Sequence, residues 1–219
     1  MGRANFENEL KQLHMEIIEM GNYVGAAIED CVRAFRENDL ELCEAIIAND
    51  KKVNEMEKKI ESKCLWLIAR EQPLASDLRK ITTALKVATD MERIGDHASD
   101  IAEIVMRISS RNAFADSSHI PEMAVAAIAM VHDAVRAYVS YDLELARATE
   151  EKDDEVDDYF NLIKNELVDV FKTRPESMDS AIDLLLIAKY LERIADHAVN
   201  ICEWVHFSQT GEHKNTQIF

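Results

Sequence analysis

The sequence predicts an all-α protein built from two similar three-helix bundles, with six long helices in total. Only 5 Gly and 3 Pro occur in 219 residues, and both residue types interrupt helices and mark turns, so few strands are expected. Apolar residues recur at i, i+3, i+4 and i+7 over long stretches, as in amphipathic helices. A sixteen-residue motif also recurs 100 residues later, which indicates an internal duplication.

The first repeat is predicted to occupy residues 1–110. Its three helices are expected over about residues 6–35, 38–70 and 74–109. Asn38-Asp39 supplies an N-cap for the second helix, because Asp and Asn side chains accept hydrogen bonds from the first free backbone N–H groups. Pro73 separates the second helix from the third, since proline lacks the N–H that a helix interior requires.

The second repeat is predicted over residues 120–208, after a polar connector over residues 109–120. Its helices are expected over about residues 121–141, 142–174 and 176–207. Pro121 and Pro175 lie at the boundaries of these segments, where a residue without an N–H is tolerated. Residues 209–219 are expected to form a frayed tail.

The duplication is clearest in the third and sixth helices. Residues 88–103 read ATDMERIGDHASDIAE and residues 188–203 read AKYLERIADHAVNICE, with nine of sixteen positions identical. Upstream, residues 50–54 correspond to residues 153–157 at a spacing of 103, so the first half carries three extra residues near Pro73. The chain is therefore read as two copies of one three-helix unit.

Composition excludes several classes of function. The chain has 42 acidic against 25 basic residues and a formal charge of −17, whereas nucleic-acid binding depends on Lys and Arg that neutralise phosphates. No apolar run approaches the length of a membrane span, and the first residues lack a secretory signal. The four cysteines form no C-x-x-C pair. A cytoplasmic protein with no nucleic-acid partner and no membrane insertion is expected.

The recurring motif places oxygen-bearing side chains along one side of each repeat's last helix. On a helix, residues 92, 96, 100 and 103 fall within roughly 80° of one another, and residues 94, 98, 101 and 102 form the opposite, core-facing side. A neighbouring helix in each repeat adds two further groups. The candidate ligands are Glu92, Asp96, Asp100, Glu103, Asp50 and Asn54 in the first repeat, and Glu192, Asp196, Asn200, Glu203, Asp153 and Asp157 in the second.

Two interpretations of this acidic stripe remain open. Carboxylates four residues apart on a helix repel by about 0.2–0.5 kcal/mol per pair, and a bound multivalent cation would relieve that repulsion. Oxygen-rich sites without cysteine suit iron, manganese or magnesium and admit zinc. The alternative is a solvated or partner-facing surface, as acidic helix faces commonly are. The recurrence of the spacing in both repeats favours the metal interpretation.

Other residues of the motif are assigned structural roles. His97 and His197 lie between the acidic stripe and the core, so each is expected to be half-buried and hydrogen-bonded, with metal ligation as the alternative. Arg93 and Arg193 are expected to pair with neighbouring carboxylates. Aromatic residues at helical spacing are expected in the core, namely Phe35, Trp66, Phe171 and Trp204.

Catalysis finds little support in the sequence. A di-iron carboxylate bundle needs two Glu-x-x-His pairs on separate helices. This chain has one, Glu203 to His206, and Met106 replaces the histidine at the corresponding position after Glu103. There is no Gly-rich phosphate loop and no recognisable nucleophile motif. The expectation is a protein that is not an enzyme, with a carboxylate-bridged metalloenzyme of the helical-bundle type as the alternative.

Three segments resemble the PhoU family of phosphate-transport accessory proteins. They are REQPLASDLR at residues 70–79, DMERIGDHA at residues 90–98 and ERIADHA at residues 192–198. The likeness extends over essentially the whole chain, including its length, its duplication and its six-helix layout.

The resemblance implies two three-helix bundles related by a pseudo-two-fold axis. It also implies a cytoplasmic, dimeric negative regulator that links a phosphate ABC transporter to a membrane sensor histidine kinase. Some family members carry iron or zinc clusters on Glu/Asp-x-x-x-Asp motifs, which match Glu92 to Asp96, Glu192 to Asp196 and Asp153 to Asp157. This chain departs from the pattern at Asn54 and at Asn200.

Overall fold

A computed structural model describes residues 3–108, 119–213 and 216–217 of the protein, and the predicted connector therefore lies largely outside the described residues. The fold is all-α, as predicted. The helices are α1 (Arg3–Glu37), α2 (Leu40–Glu71), α3 (Ala75–Arg107), α4 (Ile120–Ser140), α5 (Leu143–Glu150), α6 (Asp153–Thr173) and α7 (Met178–Thr210), with a 3-10 turn at Pro175–Ser177. Helices α1 to α3 form the first bundle and α4 to α7 form the second.

The fifth predicted helix is interrupted and gives two helices, α5 and α6. Glu151 and Lys152 form a turn between them, although both keep right-handed helical backbone angles, with φ of −66° and −77°. The Glu151 N–H still donates to the Arg147 carbonyl at 3.1 Å. Both α5 and α6 pack against α4 and α7, so together they fill the place of one helix in the second bundle.

Equivalent aspartates start the second helix of each bundle. The Asp39 side chain accepts a hydrogen bond from the Leu42 N–H at 3.0 Å. In the second bundle, Asp142 accepts from the Glu144 and Leu145 N–H groups, each at 3.0 Å. Both satisfy N–H groups that have no partner within the helix, which confirms the predicted cap at Asp39 and shows that the duplication extends to the helix ends.

The described part of the predicted frayed tail, residues 209–213 and 216–217, includes helical and strand residues. Helix α7 continues to Thr210 and stops at Gly211, whose φ of 83° is the left-handed conformation that glycine adopts without steric penalty. Two short strands follow, β1 (Glu212–His213) and β2 (Thr216–Gln217), paired antiparallel with Glu212 opposite Gln217. The His213 ring stacks on Trp204 of α7, with ring centroids 4.0 Å apart, and this contact holds β1 against the bundle.

The two bundles meet along α3 and α7, which run antiparallel. Near one end Arg107 contacts Asp183 at 3.0 Å, and towards the other the Thr83 hydroxyl donates to the Trp204 carbonyl at 3.4 Å. Because α7 repeats α3 at a spacing of 100 residues, this crossing places equivalent residues about a pseudo-two-fold axis. Helices α1 and α4 also pack together across the same junction.

Apolar side chains fill both bundles and their junction. Ile17, Met91 and Ile194 are among those without appreciable exposure, and the four cysteines are buried and free. Phe35 is buried, but Trp66 is 38% exposed, so its predicted core position is wrong. Arg70 of the same helix lies 4.9 Å from the centre of the exposed Trp66 ring.

Among the described residues, α4 is the one helix long and apolar enough to cross a membrane by length and composition. Its apolar stretch has a mean hydropathy of 1.3 and is 44% buried within the protein. Because α4 packs against α1, α5, α6 and α7, its apolar character is that of a core helix.

Candidate functional site

Helices α3 and α7 each have a core side and a carboxylate side. Ile94, Ala98 and Ile101 are at most 3% exposed, whereas Glu92 and Asp96 are partly exposed on the other side of α3. In α7, Ile194, Ala198, Ile201 and Cys202 are fully buried in the same way. The helical period therefore predicts correctly which side of each helix carries the acidic groups.

A first carboxylate cluster, defined by Asp50, Asn54, Glu92 and Asp96, lies between α2 and α3. The Asn54 amide donates to Asp50 at 2.9 Å. Burial raises the pKa of Asp50, and the neighbouring charge of Asp96 raises it further. Burial also raises the pKa of Glu92, followed by the charges of Asp96 and of Glu57. Carboxylates from two helices are thus held close enough to disfavour one another's ionisation.

A second carboxylate cluster, defined by Asp153, Asp157, Glu192 and Asp196, occupies the equivalent place between α6 and α7. Burial raises the pKa of Asp153 to about 6, with further contributions from Asp196 and Asp157. Burial likewise raises the pKa of Asp157 and of Asp196, and in both cases the charge of Glu192 is the next largest cause. The duplication therefore reproduces the crowding of acidic groups as well as the fold.

The two clusters differ in their basic partners. In the first, Arg93 lies 3.1 Å from Asp96 and 3.5 Å from Glu92, as predicted. In the second, Lys189 is the base that pairs with Glu192, while Arg193 lies 6.0 Å from the centre of the Tyr190 ring. Both bases are exposed and contribute little stability, and the carboxylates of each cluster outnumber this basic partner.

The other four candidate ligands leave the clusters. Asp100 lies 3.6 Å from the Nδ1 atom of His97, and the Asn200 amide donates to Asp90 at 3.3 Å. Glu103 is exposed near the end of α3, and Glu203 lies 3.7 Å from the Nε2 atom of His213. The predicted stripe of four therefore divides: its first two members face α2 or α6, the third lies at the junction between the bundles, and the fourth lies elsewhere on each helix.

The two motif histidines meet at the junction of α3 and α7. Their ring centroids are 5.6 Å apart. His197 pairs with Asp90 across the junction, with Nδ1 and Oδ1 2.9 Å apart, and the symmetry-related neighbour of His97 is Tyr190, at a ring distance of 5.3 Å. Burial lowers the pKa of His97, and the nearby His197 lowers it further.

Each motif histidine lies beside an aspartate of the first repeat, although the second repeat lacks both aspartates. Tyr190 occupies the position of Asp90, and Asn200 occupies the position of Asp100, at the repeat spacing of 100. His197 thus receives its carboxylate across the junction, whereas the carboxylate beside His97 comes from its own helix. The sequence analysis did not identify Asp90 as a site residue. The repeats differ at two positions near the histidines, where Asp90 and Asp100 of the first repeat correspond to Tyr190 and Asn200 of the second, and these differences were a signal in the sequence.

The donor sets of the clusters suit a hard cation, because they consist of carboxylates and amides. Among the described residues, however, no three His, Cys, Asp or Glu side chains are arranged closely enough to hold one metal ion. What the fold provides is two symmetry-related patches where acidic side chains from two helices approach one another. Metal binding there stays a prediction.

Comparison with known proteins identifies the family. The sequence matches the PhoU domain over residues 17–105 and again over residues 120–205. The chain belongs to the PhoU family. The two matches coincide with the two bundles, so each three-helix unit is one PhoU repeat.

Relatives of PhoU type match over nearly the full chain. A phosphate-specific transport system accessory protein PhoU homolog from Clostridium acetobutylicum is 37% identical over 213 residues, covering 97% of each chain. A homolog of the same name from Caulobacter vibrioides is 34% identical, covering 97% of this chain and 93% of its own.

Two solved PhoU structures match the fold. The phosphate transport system regulatory protein PhoU from Streptococcus pneumoniae has a TM-score of 0.89 and 30% identity, covering 95% of this chain and 98% of its own. PhoU from Pseudomonas aeruginosa has a TM-score of 0.87 and 31% identity, covering 94% and 100%. The likeness therefore holds at both the sequence and the structural level.

Proposed function

We propose that this PhoU-family protein is a cytoplasmic regulatory adaptor of phosphate homeostasis. It restrains phosphate uptake and phosphate-starvation signalling by contacting the ATPase of a phosphate ABC transporter and a membrane sensor histidine kinase. The observation that carries this proposal is the match of both bundles to the PhoU domain, together with relatives named as accessory and regulatory proteins of phosphate transport.

Within this role, the carboxylate clusters serve as cation-binding sites that fix the shape of each bundle. Iron, zinc or manganese bound by the first cluster would link α2 to α3, and the same ion in the second would link α6 to α7. The raised pKa values of Asp50, Glu92 and Asp153 support this, because carboxylates crowded in this way gain the most from a nearby cation. The functional unit is proposed to be a homodimer.

The adaptor role is tested by deleting the gene and measuring transcription of the phosphate-uptake genes in high phosphate. We expect derepression in the deletion strain and restored repression when the wild-type gene is returned. Pull-down from membranes of the same strain should recover the transporter ATPase and the kinase. Normal repression in the deletion strain would contradict the proposal.

The cation role is tested separately, by elemental analysis and by complementation. A double variant of the second cluster, Asp153→Asn with Asp196→Asn, should lose the metal of that cluster, keep that of the first, and restore repression only in part. Glu103→Gln is the matched control, because Glu103 belongs to the same motif but lies outside both clusters. Equal metal content in the wild type, the double variant and the control would remove the second cluster from the proposal and leave the adaptor role standing.

A further inference from the structure

The end of α2 and the turn that leads into α3 carry exposed apolar side chains. Leu65, Trp66 and Ala69 lie at helical spacing on the outer side of α2, and the first two are 55% and 38% exposed. In the turn that follows, Leu74 is 81% exposed. We call these four side chains the hairpin patch. Grouped apolar side chains on a protein surface generally mark an interaction site, whereas single ones need no explanation.

The backbone of the turn holds Leu74 in solvent. Gln72 and Ala75, on either side of Pro73 and Leu74, both have positive φ, 47° and 41°, a conformation that non-glycine residues seldom adopt. The corresponding turn of the second repeat, residues 174–177, has no positive φ. Backbone strain of this kind is concentrated at functional segments. Here it accompanies the most exposed large apolar side chain among the described residues.

Basic residues accompany the hairpin patch in an otherwise acidic chain. Residues 58–86 contain seven basic and three acidic side chains, whereas the whole chain has a formal charge of −17. One of the three acids, Asp77, is buried. Lys58, Arg70 and Lys80 are exposed, and Arg70 lies 4.9 Å from the centre of the Trp66 ring. This segment therefore differs in charge from the rest of the protein.

Acidic groups elsewhere offset only part of this local charge. Lys59 and Lys63 pair with Glu16 of α1, at 3.1 and 3.5 Å. The first carboxylate cluster lies much farther away, because residues 50 to 66 of α2 span about 24 Å at about 1.5 Å per residue. The Debye length at physiological ionic strength is about 8 Å. The charge of that cluster is therefore largely screened at the hairpin patch.

The second repeat shows that the fold does not require these side chains. At the repeat spacings of 103 and 100 residues, Asp169 corresponds to Trp66 and Arg174 to Leu74. Asp169 pairs with Lys172 at 3.1 Å, as on an ordinary solvated surface. The corresponding segment, residues 161–186, contains three basic and five acidic side chains. The exposed tryptophan and leucine and the basic excess therefore distinguish the first repeat from the second.

We propose that the hairpin patch binds the surface of a membrane that contains anionic lipids. Leu74 and Trp66 enter the interfacial region, where apolar side chains leave water and indole rings are favoured. Lys58, Arg70 and Lys80 contact the headgroups, because the leaflet that faces the cytoplasm is negatively charged. A turn and the outer side of a helix suit a flat lipid surface. The inference rests on the cytoplasmic placement proposed above, and it brings the adaptor to its membrane partners without a spanning helix.

The test is co-sedimentation of the full-length protein with vesicles of phosphatidylglycerol and phosphatidylcholine in equal parts. We expect binding that is absent with pure phosphatidylcholine and that weakens as salt is added. Leu74→Ser should fold, since the side chain is exposed, and should weaken binding about tenfold or more, as expected when a leucine side chain is no longer removed from water. Lys58→Glu should weaken binding as well.

Fluorescence reports directly on the patch. Brominated lipid in the same vesicles should quench the emission of Trp66, and Trp66→Phe should lose that quenching. The other tryptophan, Trp204, stacks against His213 at a ring distance of 4.0 Å in the second bundle, so its emission should not change. Quenching that persists in Trp66→Phe would place the lipid contact elsewhere and overturn the proposal.

Two control variants separate the hairpin patch from exposed residues in general. Ile182→Ser removes an apolar side chain of α7 that is 44% exposed, in the segment where acidic residues predominate. Lys164→Glu changes the net charge by the same amount as Lys58→Glu but lies in the second repeat. Both controls should bind vesicles as the wild type does. Equal loss of binding in Leu74→Ser and Ile182→Ser would overturn the proposal.

A protein partner is the competing occupant of the patch. If the wild type does not bind the anionic vesicles, the membrane proposal is wrong, and loss of the transporter ATPase or the kinase from the pull-down with Leu74→Ser would then assign the patch to a protein contact. Vesicle binding is measured in vitro, so its failure leaves the adaptor role standing. Normal repression in the deletion strain would contradict the adaptor role without affecting the vesicle result.

Discussion

Replacing Asp153 by Asn should stabilise the metal-free protein at neutral pH. Asp153 lies in the second carboxylate cluster, where burial and the charges of Asp196 and Asp157 raise its pKa from 3.8 to about 6. Asparagine has nearly the same shape but no charge, so the substitution removes the repulsion without opening a cavity. At most positions in a folded protein a substitution destabilises, which makes the expected direction a sharp test.

The size of the effect follows from the shift in pKa. A change of about 2 units corresponds to about 3 kcal/mol at 1.36 kcal/mol per unit. Because Asp153 is only partly buried, solvent screening reduces this to about 1 kcal/mol. For a protein of this size, 1 kcal/mol raises the midpoint of thermal unfolding by about 2–4 °C.

The pH dependence of stability is a second test of the direction of the Asp153→Asn effect. A raised pKa means that the folded protein holds the proton more tightly than the unfolded chain does. In the wild type, the contribution of Asp153 to the free energy of unfolding is therefore lost as pH rises from 3.8 to about 6. The advantage of Asp153→Asn should be complete above pH about 6 and should shrink towards pH 4.

The assay is thermal and urea unfolding, followed by circular dichroism in the presence of a chelator, at pH 7.5 and pH 4.5. Asp158→Asn is the control, because Asp158 is an exposed carboxylate of the same helix outside the cluster, and it should change stability by less than about 0.5 kcal/mol. Unchanged or lower stability of Asp153→Asn at pH 7.5 would refute the view that the cluster is electrostatically strained.

Two further predictions concern packing and the junction between bundles. Gly21→Ala places a Cβ atom 2.9 Å from the stiff Val135 side chain on α4, so we expect a loss of about 1–2 kcal/mol by denaturant unfolding even after the gain in helix propensity. Gly25→Ala meets the exposed ring of His132 at 3.1 Å, which can move aside, so its stability should be unchanged or up to about 1 kcal/mol higher; similar effects at both glycines would refute this reasoning. Asp90→Ala removes the partner that lies 2.9 Å from His197 on α7. The substitution should lower the free energy of unfolding by about 1–3 kcal/mol. An unchanged midpoint of denaturant unfolding would show that the pairing does not stabilise the fold.

Much of the fold could be predicted because its determinants lie within single helices. The helical period separates Ile94 and Ala98 from Glu92 and Asp96 without reference to any other element, and the structure agrees. The cap at Asp39 is equally local. The interruption at Glu151 and Lys152 was not predicted, because the corresponding residues of the first repeat continue the helix and the apolar period does not stop at the turn.

The candidate site could be predicted only in part, because it depends on side chains from different helices. Spacing on α3 does not reveal that Asp100 lies 3.6 Å from His97, or that Asp96 acts on Asp50 of α2 more strongly than Asp100 does. The exposure of Trp66 could not be predicted for the same reason. Periodicity shows that a helix has an apolar side, but the neighbouring helices determine how much of that side is buried.

The sequence by itself determined the all-α class, the duplication, the PhoU family and the side of each helix that carries acidic groups. These properties are encoded by periodic patterns along one chain segment, where neighbours are set by the 3.6-residue turn. Only the tertiary structure decided which carboxylates approach one another, that Asp90 pairs with His197 and that Arg107 pairs with Asp183. Those contacts depend on how α2, α3, α6 and α7 are positioned against one another, and close packing fixes that register through all the contacting side chains together.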